Sequence, residues 1–192
     1  MPSAARAFVL AFALAATLPA GAEPVSRLRV AAASGDPVAQ AELGDAYAQG
    51  QGVPKSYAHA FAWYLKSARA GHAAAYLPVA SAYHDGRGVP RDLSRAMFWF
   101  EKAAAAGNVV AANELAFHRA EAGGNLDESL ALSDQALARE PGNAHYLDTK
   151  AFILKRKGRR QEALELLRRA HTAAPEDAEI AEHLHDAERH HH

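Results

Sequence analysis

The chain has 192 residues, 21 basic and 22 acidic side chains, a formal charge of −1 and 49% hydrophobic residues. Near-balanced charge argues against nucleic acid as the main ligand, and the absence of cysteine excludes disulfides, a thiol nucleophile and a lipid-modified N-terminal cysteine. The length suffices for one continuous core stabilised by burial alone.

The first segment reads as an export signal. Arg6 is followed by an apolar run from Ala7 to Leu18, then by Ala20-Gly21-Ala22, a small-x-small cleavage site before Glu23 and Pro24. No acidic residue precedes Glu23, and the run falls short of the roughly 20 residues that span a bilayer. Residues 1–22 are therefore expected to be a cleaved signal peptide, the alternative being an uncleaved anchor. The expected location is periplasmic or secreted, in a bacterial cell envelope. Without Arg6 the balance is 20 basic against 22 acidic.

Beyond the signal, the chain repeats itself at a spacing of 36 residues: Gly35, Gly71 and Gly107 stand in register, as do Trp63 and Trp99. Ala39 falls on Ala75, Tyr47 on Tyr83, Gly52-Val53-Pro54 on Gly88-Val89-Pro90 and Lys66 on Lys102, whereas charged positions drift (Glu42 against Pro78, Leu65 against Glu101). Small, apolar and turn residues recur, so packing is repeated and chemistry is not. A fixed period of this size means a stack of like units. Each unit reads as two antiparallel helices. Asp36 with Pro37 starts the first, Gly50 and Gly52 turn the chain, Ser56 or Asp92 caps the second, and Gly71 or Gly107 ends it.

The run Leu43-Gly44-x-x-Tyr47-x-x-Gly50-x-Gly52-Val53 with Ala60-x-x-Trp63-Tyr64-x-Lys66-x-Ala68-x-x-Gly71 resembles the Sel-one-like repeat (SLR). Tyr83-x-x-Gly86-x-Gly88-Val89 with Ala96-x-x-Trp99-Phe100-x-Lys102-Ala103-Ala104-x-x-Gly107 resembles it again. The second copy departs from the pattern in having Val79-Ala80 for the leucine-glycine pair, and Pro78 predicts a kink or a late helix start. Residues 23–107 are thus read as SLR-type repeats.

After Gly107 the spacing shortens to 34, with Pro141 and Pro175 in register. Leu147, Ala151, Leu154, Gly158, Ala163, Leu167, Ala170 and Pro175 resemble the tetratricopeptide repeat (TPR), so residues 108–175 are read as two TPR-type repeats. The earlier copy has Ser129 and Ser133 where alanine and a large apolar residue are usual, with Asn125 and Glu128 as a candidate capping box. Residues 176–189 are expected to form a capping helix, apolar through Ile180, Leu184 and Ala187, and residues 190–192 a tail or tag remnant. The expected fold is an all-α, right-handed α-solenoid of antiparallel helix pairs.

The resemblance implies that the first helix of each pair lines a concave face where peptides or partner helices lie. In that register the face carries Glu42, Asp45, Gln49, Asp85, Glu114, His118, Glu121, Asp148, Phe152 and Lys155. It is mainly acidic and favours a protein or peptide partner of basic or mixed charge; the alternative is that these are solvated helix faces. Glu114 and Asp148 stand where the carboxylate clamp of some TPR domains needs cations or amides, which disfavours binding of a chain terminus. Lys155, Arg156, Lys157, Arg159 and Arg160 crowd one turn. They form either a solvated turn complementing a helix C-terminus or a docking patch for an anionic lipid headgroup or acidic polymer, with peripheral membrane contact in the latter case.

No serine elbow, phosphate loop or paired carboxylates point to catalysis, and no cofactor is implied. Of the 11 histidines most are scattered, but His183, Asp186 and His190 share one face of the last helix. The expected function is a non-enzymatic interaction module or scaffold of the cell envelope. Two alternatives stay open: a periplasmic metal-binding protein using the C-terminal histidines, and an envelope hydrolase acting on cell-wall or β-lactam substrates.

Overall fold

A computed structural model describes residues 22–189; the signal-peptide expectation, apart from Ala22, and the tail at 190–192 lie outside the described residues. Among the described residues there are ten α-helices and no strand: α1 (Ala22–Ala33), α2 (Pro37–Gln49), α3 (Tyr57–Arg69), α4 (Tyr76–Asp85) and α5 (Leu93–Ala105), followed by α6 (Val109–Glu121), α7 (Leu126–Arg139), α8 (Ala144–Arg156), α9 (Arg160–Ala173) and α10 (Ala178–Arg189). Each helix packs on the next in sequence, most extensively within the hairpins α2–α3, α4–α5, α6–α7 and α8–α9. The result is an all-α solenoid of antiparallel pairs.

The start and stop signals work as their chemistry requires. Asp36 accepts from the Val38 amide at 2.9 Å, and Ser56, Asp92, Asn108 and Asn143 cap later helices in the same manner. Gly50 and Gly86 close α2 and α4 at φ +76° and +71°, their amides donating to Ala46 and Ala82. The loop that follows folds back on its own helix, with the Ser56 amide donating to the Tyr47 carbonyl and the Asp92 amide to Tyr83. Pro78 behaves as the sequence predicts. A 3-10 turn over Ala73–Ala75 precedes α4, and Pro78 falls in the first α-turn, where its missing N–H leaves no helical bond unmade.

The core is lined by alanine and filled by a few large side chains. Leu43, Val79, Phe100, Leu147, Ile153, Leu154 and Ile180 are fully buried between layers. Gly44 shows why the first copy needs glycine: a Cβ there would stand 2.6 Å from the Tyr64 ring. The equivalents of Tyr64 and Gly44 in the next copy are Phe100 and Ala80, both buried in one apolar cluster. The two tryptophans, equivalent in sequence, are not equivalent in burial. Trp99 is 9% exposed and packs beside Tyr76, ring centroids 5.7 Å apart. Trp63 is half-buried beneath the Lys66 ammonium, 3.9 Å from its ring.

Three local features differ from the sequence reading. α1 was not predicted; it packs on α2 through Val25, Leu28 and Ala32, whose spacing of three and four residues is a helical signal that the expected cleavage site beside it overshadowed. Ser129 and Ser133 are both fully buried, the former donating to the Asn125 carbonyl at 3.1 Å, the latter with no hydrogen-bond partner. Asn125 caps α7, but Glu128 accepts from its side-chain amide at 3.0 Å and not from its backbone, so the box closes between side chains.

Candidate interaction surface

Seven of the ten predicted surface residues are drawn into one stripe that runs across α4, α6, α8 and α10. Asp85 accepts from His84 at 2.8 Å, and the His84 ring lies 4.9 Å from that of His118. The Nδ1 of His118 is 3.3 Å from Glu121 and its Nε2 4.0 Å from Glu114. Phe152 packs its ring 5.1 Å from Phe117, and at the far end Asp148 meets His183 at 2.9 Å while Lys155 donates to Asp186 at 2.7 Å. These contacts bridge successive first-type helices, which fixes the spacing of the stripe. Sequence reasoning missed His84 and Phe117 as members, because neither falls on a repeated position of the motif.

Glu42, Asp45 and Gln49 stand apart from that stripe. They line a cleft against Val25 and Leu28 of α1, and Asp45 accepts the Tyr64 hydroxyl at 2.6 Å. Burial, helped by the Asp45 carboxylate, pushes the Tyr64 hydroxyl well above its usual range.

His183 and Asp186 do not converge on a shared ligand position. Each turns to a different residue of α8, because the last helix is fastened there by polar bonds. Among the described residues no group of three or more histidine, aspartate or glutamate side chains is placed to hold a metal ion. Burial pushes the Asp148 carboxyl up, against the opposing pull of His183. A folded pKa above the unfolded one gives a stabilising contribution that is full below the ordinary aspartate value of ~4 and is lost as pH rises through the raised value. Asp148→Asn should therefore flatten the stability curve in the window just above pH ~4, followed by thermal melts. An unchanged curve would assign the slope to other groups.

The basic turn is largely neutralised from within. Arg156 donates to the Glu121 carbonyl at 2.9 Å, Lys157 to Asp127 at 2.5 Å, and Arg159 holds Glu162 through two bonds of 2.6 Å. Arg159 holds the Glu162 carboxyl below its usual range. With Lys155 on Asp186, three of the five cations have a carboxylate partner; Arg156, held by a carbonyl, and Arg160 are the two for which the structure gives no ion pair. Among the described residues no helix is long and apolar enough to cross a membrane.

Stacked hairpins, glycine-closed turns and a surface built from first-type helices define a helical-repeat solenoid of the SLR and TPR kind. The chain carries two Sel1 repeats, at residues 37–72 and 73–108. Among solved structures it is similar to c5321, a protective antigen present in uropathogenic Escherichia coli strains and displaying an SLR fold, with 30% identity and a TM-score of 0.65 over 78% of this chain. The chain spans only 33% of that protein's length. It resembles in fold a Sel1 repeat protein from Oxalobacter formigenes (24% identity, TM-score 0.65, 86% of this chain and 69% of that one). It resembles in fold as well YrrB, a TPR protein with an unusual peptide-binding site (21% identity, TM-score 0.58, 85% of this chain and 86% of that one). No curated protein sequence matches the chain significantly. Repeat folds of this kind are generally scaffolds for protein–protein interaction, and they suggest a protein or peptide partner.

Proposed function

We propose that the chain is a non-enzymatic scaffold of the bacterial cell envelope, exported by residues 1–22, that holds a peptide or protein partner of basic or mixed charge along its first-type helices. The single observation that carries this proposal is the stripe itself. Glu114, Glu121, Asp148 and Asp85 are brought side by side on successive helices together with the aromatic pair Phe117 and Phe152, a surface with charge to steer a partner and apolar area to hold it. Opposite charge mainly speeds encounter, and the aromatic pair supplies the desolvated contact.

Crosslinking in the envelope followed by affinity capture tests this. Glu114→Lys should lower capture of the specific partner about tenfold and leave the melting temperature nearly unchanged, since a partly exposed carboxylate contributes little to stability. Undiminished capture would remove the acidic stripe from the mechanism. Cell fractionation with mass analysis of the mature N-terminus tests export: a chain retained in the cytoplasm with residues 1–22 intact would refute that part.

A further inference from the structure

We propose that three clefts along the stack form one register-matched row whose outer two members receive the lysine or arginine side chains of an extended cationic peptide, the middle one being filled by the chain's own Arg87; this narrows the scaffold reading above and rests on it. The first cleft, of about 590 Å³, lies between α1 and α2, lined by Val25, Leu28, Glu42, Asp45 and Gln49. The second, of about 190 Å³, lies between α3 and α4 with Tyr57, Phe61, Tyr64 and Asp85 on its walls. The third, of about 310 Å³, lies between α5 and α6 with Leu93, Met97, Glu101, His118 and Glu121.

These are one crevice made three times. A step of 36 residues carries Val25 onto Phe61 and then onto Met97, and carries Gln49 onto Asp85 and then onto Glu121. The second-type helix supplies an apolar wall at every step, and the facing first-type helix supplies an oxygen acceptor. Tyr57 and Leu93, equivalent residues at the second and third mouths, remain 42% and 45% exposed, so the apolar wall continues out to the surface.

An aliphatic stem ending in a cation is the side chain that satisfies such a crevice, its methylenes on the wall and its charge at the carboxylates. The chain itself carries an example. Arg87 at the second cleft lies 6.0 Å over the Tyr57 ring and 3.5 Å from Asp85, a cation between an aromatic face and a carboxylate. The outer clefts are less compensated. Among the described residues Glu42 has no ion pair and the Glu121 carboxylate is paired with His118 alone, while in the third cleft Arg119 is held by Glu101.

The spacing sets the ligand's pattern. Successive clefts lie one helix pair apart and an extended chain rises about 3.3 Å per residue, so basic residues set several positions apart, and not adjacent ones, reach separate clefts. The full chain is therefore titrated by fluorescence anisotropy with a labelled peptide whose lysines are set several positions apart, and with a shuffled peptide of the same composition bearing its lysines together. The ordered peptide should bind about tenfold tighter than the shuffled one. Glu42→Gln and Glu121→Gln should each weaken it several-fold, by roughly three to ten times, whereas Glu165→Gln on α9 should not. Equal binding of the two peptides, tighter binding of an acidic or neutral apolar peptide, no binding, or indifference to both substitutions overturns the row. An envelope partner lost on Glu114→Lys yet kept by Glu42→Gln and Glu121→Gln would overturn the row and leave the scaffold standing. Register-dependent peptide binding without any envelope partner would support the row and count against the scaffold.

Discussion

Gly88→Ala is expected to destabilise the protein by about 4 kcal/mol, well beyond an ordinary glycine substitution. Gly88 sits at φ +76°, and a Cβ there would stand 2.2 Å from the Tyr57 carbonyl oxygen and 2.6 Å from the Ala58 amide nitrogen. Both are backbone atoms at the start of α3, so neither can swing aside as a side chain would. The turn of one repeat is thus pressed against the first turn of the helix before it, and only a residue without a side chain permits that approach. Gly86→Ala is the matched control. Its φ is +71°, but its nearest neighbour would be the Arg91 side chain at 3.4 Å, so it bears the left-handed backbone cost of about 1 kcal/mol without the collision. Urea melts of the two variants separate the effects; equal losses would show that the repeats do not meet at Gly88.

Trp99→Ala should cost about 3–5 kcal/mol, a fall in melting temperature of roughly 10 °C for a chain of this size. The indole is buried against Tyr76, at the junction where α4 meets α5, and its removal leaves a cavity among alanines too short to fill it. Trp63→Ala should cost markedly less, because Trp63 is half-buried and part of its contact is with the exposed Lys66 side chain. Comparable losses at the two sites, or none at Trp99, would contradict the packing difference between them.

Much of the fold was legible because the residues that make it have narrow jobs. Glycine at 50 and 86 tolerates the left-handed turn that ends a helix, aspartate at 36 and 92 accepts from the free amides that begin one, and proline at 37 and 78 fits only a first turn, so the helices begin and end where those residues dictate. α1 escaped notice since it adjoins the apolar run read as a signal peptide, so its periodic Val25, Leu28 and Ala32 had no frame. The surface was legible only in part. Helical register placed Glu114, His118 and Glu121 on one face, but which side chains cross from helix to helix depends on distances no spacing rule contains. His84 against His118 and His183 against Asp148 are contacts between elements 34 to 35 residues apart, set by how far each layer rotates on the last. The same applies to the basic turn, whose partners Glu121, Asp127 and Asp186 come from three other segments.

The last described helix depends heavily on polar contacts. α10 buries only Ile180 completely; beside the partly buried Leu184 and Ala187 it is tied down by polar bridges, Asp148 to His183, Lys155 to Asp186 and Arg168 to Glu188. Salt weakens such bridges and leaves apolar burial almost untouched. Ionic strength should thus act most strongly on α10, loosening it while the alanine-lined layers beneath stay closed, and amide exchange would begin there and travel inward layer by layer.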